Sequence, residues 1–149
     1  MFRRIAPLFA IMLILSLVLV ACGDDKATVP TYSGGTSVTL PSTLQPMADS
    51  LKTSVKESSV TAFKTADSAD KVKSSFADQF KKDGWDDKAS TLGSDTKSLE
   101  AEGAFILLYQ KGSSNAAAVV GFPAQIATAL GVTDVAANGS IYIVISGKA

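Results

Sequence analysis

Only one cysteine occurs in the 149 residues, Cys22, and there is no histidine. These two facts constrain the fold more than any motif does. A lone thiol closes no disulfide within the chain, and a Cys/His zinc site lacks its ligands. Any domain formed here is held by its hydrophobic core alone. Beyond residue 40 the chain has 149 − 40 = 109 residues, which is enough for one modest domain.

The position of Cys22 carries a second message. Arg3 and Arg4 form a positive start, and Ile5 to Val20 is apolar apart from Ser16. Polarity returns at once in Gly23-Asp24-Asp25-Lys26. A basic n-region, an apolar h-region and a small residue at the cut describe a secretory signal. The apolar run makes roughly 25 Å of helix, short of the roughly 30 Å that a spanning segment of about 20 residues covers, with an uncleaved anchor as the lesser alternative. The string Leu19-Val20-Ala21-Cys22 resembles the lipobox of bacterial lipoproteins. The resemblance implies a diacylglyceryl group on the Cys22 sulfur and cleavage between Ala21 and Cys22. It also implies a membrane anchor on the extracytoplasmic side. Two acyl chains anchor stably where one is marginal.

Cleavage there removes both arginines and leaves 12 lysines against 14 acids, 12 − 14 = −2. A nearly neutral chain does not fit a nucleic-acid surface, which is basic. Every remaining cation is a lysine, so the bidentate fork that often grips phosphate and carboxylate is missing. The expected organisation is a signal peptide over 1–21, a lipidated and flexible tether over 22–40, and one domain over 41–149. The tether reading rests on the Gly, Asp, Thr, Ser and Pro content of that stretch, with a short strand possible near Thr36–Leu40.

Periodicity outlines the domain. Leu44, Met47, Leu51 and Val55 recur at helical spacing, predicting a helix over 42–55 with its stripe toward the core. Val60, Ala62 and Phe63 predict a strand over 59–65. Ala69, Val72, Phe76 and Phe80 line one face of the clearest helix, about 68–83. Asp67 or Ser68 caps it, and Gly84 ends it as a left-handed C′ residue. That placement makes Phe80 and Trp85 the partners of a Schellman contact. Further strands are expected at Lys88–Leu92, Ala104–Tyr109, Ala116–Phe122 and Ser140–Ser146. Turns are expected at 93–95 and 112–115, and Asn138-Gly139 marks another. Pro123–Leu130 reads as a short helix closed by Gly131, or as an insertion between strands. The fold class expected is α+β: an antiparallel sheet with the 68–83 helix on one face and one or two additional helices.

The segment Phe63-Lys64-Thr65-Ala66-Asp67-Ser68-Ala69-Asp70-Lys71-Val72, followed by Phe80 and Gly84-Trp85, resembles a small α+β module of uncharacterised bacterial lipoproteins. That resemblance covers roughly 60 residues and implies a fold but no activity.

No pattern carries catalytic chemistry by itself. Ser-His-Asp and Cys-His arrangements are excluded by composition. Ser68-x-x-Lys71 and Ser94-x-x-Lys97 match the serine–lysine spacing of penicillin-binding enzymes, but the companion strings are absent. Ser68 as an N-cap with an exposed Lys71 is the better reading. The acids Asp83, Asp86, Asp87, Asp95, Glu100 and Glu102 do not follow EF-hand spacing, so no metal site and no cofactor are expected. The leading expectation is a lipid-anchored, extracytoplasmic, non-enzymatic domain that binds an envelope partner or ligand, or serves a structural role. One alternative is a small hydrolase or carbohydrate-active enzyme using Asp86, Asp87, Glu100 or Glu102, which requires two carboxylates converging in a cleft. Another is a carrier of a small apolar ligand, which requires an apolar cavity between helix and sheet.

Overall fold

The computed structural model describes residues 27–54, 56–92, 95–112 and 115–148. The signal segment, Ala21 and Cys22 lie outside them, as do Val55, Gly93, Ser94, Ser113, Ser114 and the side chains of Met47, Leu51 and Asp95. Among these residues six strands form one antiparallel sheet: β1 (Thr36–Val38), β2 (Lys56–Thr65), β3 (Asp86–Asp87), β4 (Phe105–Lys111), β5 (Asn115–Pro123) and β6 (Ser140–Lys148). Their spatial order is β1-β2-β6-β5-β4-β3. Among the described residues four α-helices accompany them: α1 (Gln45–Ser54), α2 (Ala69–Lys82), α3 (Asp95–Ala101) and α4 (Ala124–Ala129). The fold is α+β.

Side chains alternate across a strand, and here both faces are buried. Phe105, Leu107 and Tyr109 of β4 join Ala117 and Val119 of β5 and Tyr142 of β6 under α2. Ile106 and Leu108, Ala118, Val120 and Phe122, and Ile141, Ile143 and Ile145 point the other way. There they meet Leu44, Leu92, Leu99 and Ala127, contributed by the short helices and turns. This two-sided burial explains why β4, β5 and β6 read as continuous apolar runs rather than as alternating ones.

Helix α2 follows its sequence signals closely. The Ser68 side chain accepts a hydrogen bond from the Lys71 N–H. At the other end Trp85 N–H donates to Phe80 O at 2.9 Å and Gly84 N–H to Lys81 O at 3.2 Å. Those are the two bonds of a Schellman motif, and Gly84 takes the positive φ (74°) that it requires. The Phe80 and Trp85 rings meet edge to face at 5.3 Å. Trp85 Nε1 is buried without a hydrogen-bond partner among the described residues.

Three segments differ from expectation. Lys88–Leu92 is not a strand: Asp86–Asp87 forms the two-residue β3, and Ala89–Leu92 is a 3-10 turn. Asp87 Oδ1 accepts the Ala89 N–H at 2.7 Å and Lys88 O accepts the Thr91 N–H at 2.9 Å, which curls the backbone out of the sheet. The expected turn at 93–95 falls partly outside the described residues, and Asp95 already opens α3. Residues 27–40, read as the greater part of a tether, lie on the domain. Ala27, Val29 and Tyr32 pack against the α2-side core, and β1 pairs with Ala62–Lys64 of β2. Pro123–Leu130 resolves to the helix α4.

Gly121 sits opposite Phe105 in the β4–β5 ladder. A Cβ there would lie 2.0 Å from Phe105 Cε1, so the ring crosses β5 where only glycine leaves room. Gly121→Ala is expected to destabilise the domain by about 1–3 kcal/mol through overpacking. Gly84→Ala meets nothing within 4 Å among the described residues and costs the left-handed backbone, about 1–2 kcal/mol. Urea titrations of the two variants check the larger shift at Gly121; a smaller shift there than at Gly84 contradicts the packing account.

Candidate functional site

Helix α2 covers β4, β5 and part of β6 on its side of the sheet. The remaining part of that face, on β2 and β6, carries Ser59, Thr61, Phe63, Val144 and Ser146. Residues 27–32 run along it as a strap. Between strap, helix and sheet lies a cleft of about 220 Å³. Its floor is Phe63, Tyr142 and Val144, Phe76 of α2 forms one wall, and Val29, Pro30, Thr31 and Tyr32 form another.

The strap is tied at both ends. The Ala27 N–H donates to Asn115 Oδ1 at 3.0 Å. The Tyr32 hydroxyl donates to Asp67 Oδ2 at 2.6 Å. Asp67 is itself held in place: its N–H donates to Thr65 Oγ1, and its carbonyl accepts from Ser140 Oγ at 2.8 Å. Its other carboxylate oxygen accepts from the Lys71 ammonium. Aromatic rings join the strap to the layer below. Tyr142 stacks on Phe63 at 5.1 Å and meets the edges of Phe76 at 5.5 Å and Tyr32 at 5.9 Å. Such pairs add about 0.5–1.5 kcal/mol each beyond their area.

The polar groups around this site are hydroxyls that stay protonated. Burial, with the Asp67 carboxylate beside it, pushes Tyr32 up to about 12. Burial alone does the same for Tyr142. The Asp67 carboxyl is held below its ordinary range by hydrogen bonds from Lys71 and then Tyr32. The cleft therefore presents apolar and aromatic surface with hydroxyl contacts, a surface suited to binding. Its volume falls below the roughly 300–1,000 Å³ of drug-sized ligand sites. It suits one side chain or one small ligand group.

The residues singled out from sequence lie elsewhere. Asp83, Asp86, Asp87, Glu100 and Glu102 are exposed and none lines the cleft. Glu100 pairs with Lys73 at 3.1 Å. Ser68 and Lys71 serve the α2 N-terminus and Asp67. Among the described residues no three acidic, histidine or cysteine side chains form a group able to hold a metal. The helix–sheet interface is filled by Phe76, Phe80, Leu107 and Tyr109, and the cleft lies beside it, under the strap. Sequence reading missed Val29, Tyr32 and Asn115. The signal was the spacing of Ala27, Val29 and Tyr32 in an otherwise polar stretch, apolar surface that a solvated tether does not need. No protein-family model matches the chain, and neither curated proteins nor solved structures match it.

The Tyr32–Asp67 tie has a pH signature. Asp67 titrates lower in the folded than in the unfolded chain, so its contribution is present above about pH 4 and is lost as pH falls through its native value. Tyr32 and Tyr142 titrate higher when folded, so theirs is complete below pH 10 and is lost as pH rises toward about 12. Tyr109 shifts the same way. Urea stability is expected to decline in both limbs, and Tyr32→Phe should flatten part of each. Unchanged limbs in that variant would show that the tie does not contribute.

Proposed function

We propose that this chain is a lipid-anchored, extracytoplasmic domain with a binding or envelope-structural role, tethered through a diacylglyceryl group on Cys22. The observation that carries this reading is Leu19-Val20-Ala21-Cys22 at the end of an apolar run behind Arg3 and Arg4. No helix among the described residues is long and apolar enough to cross a membrane. The aromatic cleft beneath the strap supports the binding side of the proposal. Its chemistry favours a small apolar or aromatic group held by contact and by hydroxyl hydrogen bonds, or a partner's side chain.

Intact-mass analysis of the membrane fraction tests the anchor. The expected species begins at Cys22 and carries the added lipid mass. Cys22→Ala is expected to leave the uncleaved, unlipidated precursor. A membrane-fraction chain with an unmodified Cys22 rules the anchor out. Binding at the cleft is tested with Thr61→Trp, which puts a bulky ring at a residue that lines it. Loss of an apolar fluorescent probe's binding in this variant, with fold retained by circular dichroism, supports the site; undiminished binding places the probe elsewhere.

A further inference from the structure

The point where the described chain enters the domain decides which end of the sheet an anchor would face. Ala27 is bonded to Asn115. Asn115 belongs to one cross-strand row: Lys56 faces Lys148, Lys148 faces Asn115, and Asn115 faces Lys111. Three lysines therefore span β2, β6 and β4 at this end. Lys81 and Lys82 in the last turn of α2 lie near it, since Lys111 Nζ donates to Asp83 O at 2.7 Å. Asp67, Ser140 and the α2 N-terminus mark the opposite end.

From Cys22 to Ala27 there are only five residue steps. Fully extended, they reach at most about 18 Å. A compact domain of this size is roughly 35 Å across. The domain therefore cannot stand inverted, with the opposite end on the bilayer and Ala27 roughly 35 Å above it. We propose that the Lys56–Lys148–Lys111 end of the sheet rests on the lipid surface, its ammonium groups against lipid phosphates, with the Asp67 end pointing away. This orientation rests on the lipid-anchor reading. Glu57, Asp83 and Asp86 share this end, and Asp24 and Asp25 precede it. The field there is mixed, so tether length sets the orientation and the lysines supply short-range contacts. Their aliphatic stems reach past neighbouring groups to place the charge at headgroup depth.

Lysine footprinting of the lipidated, full mature chain on phosphatidylethanolamine/phosphatidylglycerol vesicles tests this. A water-soluble amine reagent is expected to modify Lys56 and Lys148 several-fold more slowly than Lys64 and Lys71 near the other end, relative to their reactivities in an urea-unfolded sample. Inserting a long Gly/Ser segment between Lys26 and Ala27 removes the length limit and is expected to shrink that difference. Equal protection of the two ends, in a chain that sediments with the vesicles, overturns the orientation while leaving the anchor intact. A chain that stays in the supernatant with an unmodified Cys22 overturns the anchor and the orientation with it.

Discussion

Burial of both faces of one antiparallel sheet is the constraint on which the rest of this structure depends. No disulfide is available to staple the domain, so stability has to come from apolar area removed from water. A sheet covered on one side only leaves half its side chains solvated. Covering both sides lets β4, β5 and β6 carry the unbroken apolar runs Phe105–Tyr109, Ala116–Val120 and Ile141–Ile145. The cost is steric. Bulky side chains at every position of three adjacent strands would not fit beneath helices, and β5 answers with Ala116, Ala117, Ala118 and Gly121. Those small residues make room for Phe76, Phe80 and Phe105 on one face and for larger aliphatics on the other.

The strap solves a problem that α2 leaves. One helix of 14 residues does not cover a sheet of six strands, and the β2–β6 part of its face holds Phe63, Tyr142 and Val144. Residues 27–32 lie over them, fastened by Asn115 at one end and Asp67 at the other. The cover is imperfect, and the gap is the cleft. One short segment thus completes the core, lines the candidate site and brings the domain close to any anchor at Cys22. A segment that would act as a long tether if solvated becomes a short one by packing.

Legibility followed locality. Helix α2 was readable because its cap, its stripe and its Schellman terminus are all encoded within Asp67–Trp85. The β4–β5 hairpin was readable because its arms are adjacent and separated by turn residues. Lys88–Leu92 misled because so short a polar run has no decisive period, while the Asp87 carboxylate captures the Ala89 N–H and turns the backbone. Helix α3 shows little apolar stripe in sequence, with Leu99 its buried residue. Tyr32 and Asn115 acquire their roles from partners 35 and 88 residues away, and no local pattern announces such distances.

By itself the sequence determined the absence of disulfide and histidine chemistry, the main helix with both its ends, the late apolar strands and the α+β class. These follow from composition, from continuous apolar runs and from the helical period of 3.6, which are local properties. Tertiary structure alone decided that β6 inserts between β2 and β5, that residues 27–32 lie on the sheet, and that three lysines from separate strands share one end. Each of these depends on which surfaces remain uncovered after the local elements form, and that is settled only when the chain packs.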